Sequence, residues 1–118
     1  MRCFLKSLDI AHSAVDALEE IKGEDIILMD LTHLNTFTDY FVIGSGTSHR
    51  MLNALMTNVK RAVKTDHQKN IKVEGEPMDG WMLADYGGVV VHLFSKDARE
   101  NYDLEGFWEE AKVILTLV

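Results

Sequence analysis

Few side chains in this sequence are spaced for chemistry. The histidines, His12, His33, His49, His67 and His92, form no His-x-His or His-Glu-x-x-His pattern, and Cys3 is the single cysteine. A zinc site needs about four nitrogen, sulfur or oxygen ligands at set intervals, so no metal centre is expected. Gly44-Ser45-Gly46 follows an apolar run and precedes a helical pattern, where backbone N–H groups could face a phosphate. It matches neither a P-loop nor a dinucleotide fingerprint. Its plainer role is a tight turn, because glycine between a strand and a helix commonly serves the backbone alone. A nucleotide-dependent enzyme built on this turn is the alternative reading.

A strand ending in Gly-Ser before a helix also resembles the nucleotidyltransferase fold, whose paired acids hold catalytic metal. The corresponding window, Leu55 to Thr65, contains Lys60, Arg61 and Lys64 but no Asp or Glu. A two-metal phosphoryl site needs carboxylates, which basic residues cannot replace. Accordingly, no catalytic residue and no cofactor is assigned, and the chain is read as a non-enzyme.

The stretch from Trp81 to Trp108 is better suited to a partner. Two apolar runs, Trp81 to Tyr86 and Val89 to Phe94, flank Gly87-Gly88, and a helix carrying polar and aromatic residues follows. One surface could thus carry Trp, Tyr, His and acids together. Trp81, beside a Gly-rich turn at a strand start, is placed to be an interface anchor. His92 is either a hydrogen-bonded interior residue or one end of a polar patch, because alternation alone does not choose a face. Trp108, on an apolar helical stripe, reads as core.

Helices and strands must hold these residues. Ile10, Ala14, Ala17, Leu18 and Ile21 recur at helical spacing, which predicts a helix from about Ser7 to Lys22 that stops at Gly23. Asp25 to Leu31 and Asp39 to Ile43 read as strands. Thr47 or Ser48 can cap a second helix whose stripe is Met51, Leu52, Leu55, Met56, Val59, Ala62 and Val63. A short strand near Ile71 to Glu74 precedes the Trp81 and Val89 strands, whose two-residue Gly-Gly link suits a primed turn with positive φ at both glycines. A last helix is expected from near Asp103, burying Leu104, Phe107, Trp108, Ala111 and Leu115. The fold class is therefore α/β, with a mixed sheet of about five strands flanked by helices.

At 118 residues the chain is expected to form one domain, residues 1–118. It shows no signal-peptide core of roughly 7–15 apolar residues and no run near the roughly 20 needed for a membrane span. A cytoplasmic setting without membrane contact fits. Residues 1–73 carry nine acidic and nine basic side chains, whereas residues 74–118 carry ten acidic and three basic, so the whole net charge of −7 lies in the last part of the chain. Phosphate backbones demand clustered Lys and Arg, which leaves little direct nucleic-acid contact for this half and makes a basic protein the better-matched partner. A merely solubilising acidic face is the blander reading.

Asp39-Tyr40-Phe41-Val42-Ile43 with Ser45-Gly46-Thr47-Ser48, Glu74-Gly75, Trp81, Asp85-x-Gly87, Val90-Val91-His92 and Arg99-x-x-Tyr102-x-Leu104-Glu105-x-x-Trp108 together resemble the Iojap or ribosomal silencing factor family. The ordered set covers Asp25 to Trp108, most of the chain. The resemblance implies a degenerate nucleotidyltransferase fold without the enzyme's acids. It implies binding to the large ribosomal subunit through large-subunit ribosomal protein fourteen, blocking of small-subunit association, repression of translation when nutrients run low, and a homodimer when free. The partner surface transfers onto Trp81, Asp85, Tyr86, Gly87 and His92, with Arg99, Tyr102 and Glu105 near the last helix. One position departs: the family usually has an acid after the Gly of Asp-x-Gly, and this chain has Gly88, which removes one salt-bridge partner.

Overall fold

The computed structural model describes residues 4–34, 38–67, 72–103, 106 and 111–117. Helix α1 spans Phe4–Glu20. It closes in a Schellman motif, with Gly23 N–H donating to Leu18 O at 2.8 Å, Lys22 N–H donating to Glu19 O at 2.9 Å, and Lys22 itself at φ 62°. Strand β1 is Glu24–Asp30 and β2 is Tyr40–Gly46. Helix α2, His49–His67, is capped by Ser48, whose Oγ accepts the Met51 N–H at 3.0 Å. Strands β3 (Lys72–Glu74), β4 (Trp81–Asp85) and β5 (Val89–Ser95), helix α3 (Lys96–Tyr102) and strand β6 (Lys112–Leu117) complete the order, with one-turn 3₁₀ helices at Thr32–Leu34 and Pro77–Asp79.

The sheet runs β3-β4-β5-β2-β1-β6, and only β2 and β5 are parallel. Alternation divides it into two faces. Ile26, Leu28, Tyr40, Val42, Met82, Ala84, Tyr86, Val89, Val91 and Leu93 pack with Ile10, Ala14 and Leu18 of α1 and Leu52, Leu55 and Val59 of α2. Small residues on α1 let the two helices approach, and buried Asn58 of α2 donates to Ala17 O at 2.8 Å across that contact. Met29, Phe41, Ile43, Val90 and Phe94 form the opposite face with Trp81, Leu83 and Ala98 of α3. Burying each such large side chain contributes roughly 1.5–3 kcal/mol.

The structure corrects three expectations. Gly44-Ser45-Gly46 is not a turn but the end of β2, paired to β5 through Gly44↔Leu93, Ser45↔Phe94 and Gly46↔Ser95. Of the two hairpin glycines only Gly87 takes positive φ, at 84°. Gly88 instead tucks against α1, and its carbonyl accepts the Asp39 and Tyr40 N–H groups, both at 3.0 Å. The expected last helix does not reach Leu115. Asp103, at φ 44°, closes α3, and its Oδ1 accepts the N–H of Gly106, a helical residue, at 3.3 Å. Lys112–Leu117 is a sixth strand, antiparallel to β1 with Leu28↔Leu115 and Ile26↔Leu117 in register. β-branched Val113, Ile114 and Thr116 favour the pleated geometry there. Leu104, Phe107 and Trp108 lie outside the described residues.

Candidate partner-docking site

The two-residue link at Gly87-Gly88 sets the β4–β5 register, with Trp81 opposite Phe94, Leu83 opposite His92 and Asp85 opposite Val90. Trp81, Leu83, His92 and Phe94 therefore share one face. Helix α3 begins directly after β5, where Ser95 caps it by accepting the Ala98 N–H at 3.2 Å. Its short length carries Arg99 and Tyr102 back over the same face.

The outcome is an aromatic cluster. Trp81 lies 4.6 Å from Tyr102, 5.4 Å from Phe94 and 6.0 Å from His92 between ring centroids, and Phe41 meets His92 edge-on at 4.7 Å. Such pairs contribute about 0.5–1.5 kcal/mol beyond burial. The indole N–H donates to His92 Nδ1 at 3.2 Å. An indole nitrogen only donates, so Nδ1 carries no proton and the neutral imidazole holds its proton on Nε2. Burial pushes the His92 pKa down to about 4. Phe94 forms the floor, wholly buried, while Tyr102 is 53% exposed. The cluster thus grades from core to surface within a few side chains.

Beside it, Arg99 Nη1 donates to buried Ser45 Oγ at 2.8 Å. Arg99, Ser45, Asp25, Lys96, Glu100 and Asp103 line a cleft of about 220 Å³ at the carboxyl end of β2. That is below the roughly 300–1,000 Å³ of common ligand pockets. Because Gly44, Ser45 and Gly46 are paired within the sheet, they form no loop to cradle a phosphate.

The sequence-named residues separate into groups. Trp81, His92 and Tyr102 come together, with Arg99 on the helix that bears Tyr102. Asp85 and Gly87 are exposed at the hairpin tip, where Asp85 Oδ1 accepts the Gly87 N–H at 2.8 Å. The tip is roughly 13 Å along β4 from Trp81. Tyr86 is buried on the α1/α2 face, and burial raises its hydroxyl pKa. It therefore cannot share a surface with Trp81 in this conformation. Glu105 lies outside the described residues. Residue spacing does not mark Phe41 or Phe94 as site residues, although period-2 alternation from His92 points to Phe94.

Comparison with known proteins places this geometry in context. The family model described as "Ribosomal silencing factor during starvation" matches residues 5–117. The ribosomal silencing factor RsfS of Chromobacterium violaceum is 35% identical, over 85% of this chain and 82% of that protein. The mouse protein "Mitochondrial assembly of ribosomal large subunit protein 1" is 36% identical over 80% of this chain, which spans only 42% of the mouse protein's length. A crystal structure of a Chromobacterium violaceum protein superposes with a TM-score of 0.81 at 35% identity, covering 86% of this chain and 85% of that one.

Proposed function

The chain belongs to the ribosomal silencing factor family, and from that premise we propose that it docks on the large ribosomal subunit through large-subunit ribosomal protein fourteen. Bound there, a rigid domain occupies space that the small subunit needs, which blocks joining and represses translation without chemistry. The proposal takes residues 1–118 as one non-enzymatic domain that is cytoplasmic and homodimeric when free.

The observation that supports this reading is the half-buried Trp81 packed at a tilt against exposed Tyr102, an anchor of the type that dominates interface energetics. Asp85 and the acidic surplus of residues 74–118 complement a basic protein and would act mainly on association rate. A stable contact needs roughly 1,200–2,000 Å² of buried surface in total.

The experiment is sedimentation of tagged protein from lysate, paired with binding of variants to purified large subunits. The protein should co-sediment with free large subunits and be scarce on small subunits and translating ribosomes. Trp81→Ala should cost roughly 2–4 kcal/mol of binding, provided its circular dichroism and melting temperature stay near those of the parent. Equal distribution over all fractions refutes the proposal.

A further inference from the structure

His92 is an odd choice for the position it fills. It is 5% exposed on the central strand β5, packed against Phe41 and Phe94, and opposite Leu83. Its Nε2 is buried and has no hydrogen-bond partner among the described residues. A buried donor left unmet is unfavourable, and an apolar ring of similar size would avoid that cost. Stability therefore does not account for an imidazole here. What the imidazole has and a phenyl ring lacks is an acceptor at Nδ1, and that acceptor receives the Trp81 indole N–H.

We propose that His92 is a positioning residue: by accepting the indole N–H at Nδ1, it fixes the orientation in which Trp81 meets Tyr102 and is presented to a protein partner. This rests on the docking reading of Trp81 given above. It assigns His92 no partner contact of its own. Stacking on Phe94 and tilted contact with Tyr102 restrict where the indole lies but leave its rotation within the cluster loosely set, since ring pairs tolerate a range of offsets. One directional hydrogen bond removes that freedom. It also keeps the indole nitrogen satisfied inside the cluster.

Two substitutions separate this role from packing. His92→Phe keeps a ring and removes the acceptor. His92→Asn removes the ring and offers Oδ1 where Nδ1 stood. Both are followed by the Trp81 indole N–H resonance, identified as the signal missing from Trp81→Phe, and by affinity for purified large subunits. His92→Phe should remain folded, with thermal stability equal to or above that of the parent. Its indole signal should move upfield and exchange faster with solvent, and its affinity should fall about tenfold, which equals 1.4 kcal/mol. His92→Asn should restore the downfield indole signal and most of the affinity despite its smaller side chain.

An unshifted indole signal in His92→Phe overturns the proposal, as does His92→Asn binding no better than His92→Phe. Failure of the docking reading looks different: Trp81→Ala would bind normally while the His92→Phe indole shift persisted.

Discussion

Gly88 sits where the fold leaves no room for a methyl group. A Cβ built there would overlap Ser7 Oγ on α1 and lie 3.1 Å from both Ser7 Cβ and Asp39 Oδ2. The backbone does not require glycine, because positive φ in this turn belongs to Gly87. The cost of Gly88→Ala is therefore steric. Ser7 must rotate away and give up its 3.4 Å hydrogen bond to the fully buried Asp39. Overpacking costs about 1–3 kcal/mol, and a short hydroxyl that can turn aside places this case near about 1–2 kcal/mol. Glycine-to-alanine replacement also restricts the unfolded chain, which returns about 0.4–1 kcal/mol. That second effect is the same whatever occupies position 7, so a double-mutant cycle removes it. Ser7→Ala eliminates the overlapping oxygen and leaves only the two 3.1 Å contacts, to the Cβ at position 7 and to Asp39 Oδ2. Urea denaturation of the parent, both single variants and the double variant should give a compensating coupling of about 1 kcal/mol, with Gly88→Ala less harmful in the Ser7→Ala background. Additivity within about 0.3 kcal/mol refutes the clash as the reason for glycine.

Acid should destabilise the fold through His92. Its pKa is about 4 when folded against 6.5 when exposed, so between those values the unfolded chain binds a proton that the native state does not. Stability present above pH 6.5 is lost as the pH falls toward 4. At pH 5 the loss is about 2 kcal/mol, or about 8 °C in Tm for a domain of this size. The ring partners of His92 among the described residues are Phe41, Trp81 and Phe94, none of which is charged, leaving burial as the cause. His92→Phe should lack this part of the pH dependence, and an identical Tm profile in both proteins would contradict the assignment. Asn58→Ala should destabilise by about 1–3 kcal/mol in chemical denaturation, because it removes the buried amide's hydrogen bond to Ala17 O and opens the α1–α2 contact. A change below about 0.5 kcal/mol would show that water replaces the amide at no cost.

How much of this arrangement is legible in the sequence depends on how far apart the deciding residues lie. Both long helices follow from local periodicity, and their buried stripes are the ones spacing predicts, because burial against a sheet needs only one apolar face. The C-terminal strand was not legible. Val113 to Leu117 contains apolar residues compatible with a short helical stripe, and what makes it a strand is pairing with β1, more than eighty positions earlier. Likewise, nothing local distinguishes Gly44-Ser45-Gly46 as a turn from the same residues as the end of β2. The decision is made by Leu93, Phe94 and Ser95 on the neighbouring strand.

The hairpin is the opposite case, and it sharpens the docking model. A two-residue link at Gly87-Gly88 sets the register by itself: Trp81 must face Phe94, and Leu83 must face His92. Alternation along β4 then puts Trp81, Leu83 and Asp85 on one side and sends Met82, Ala84 and Tyr86 to the other. Grouping Tyr86 with Trp81 on a single surface conflicts with that parity, and the structure places Tyr86 in the α1/α2 core. A partner reading this surface would meet Trp81 and Tyr102 first, with Arg99 beside them. Asp85 can join only if the contact extends roughly 13 Å along the strand to the hairpin tip. An interface of about 800 Å² per partner spans that distance. A smaller footprint would leave Asp85 out and confine charge-reversal effects to α3.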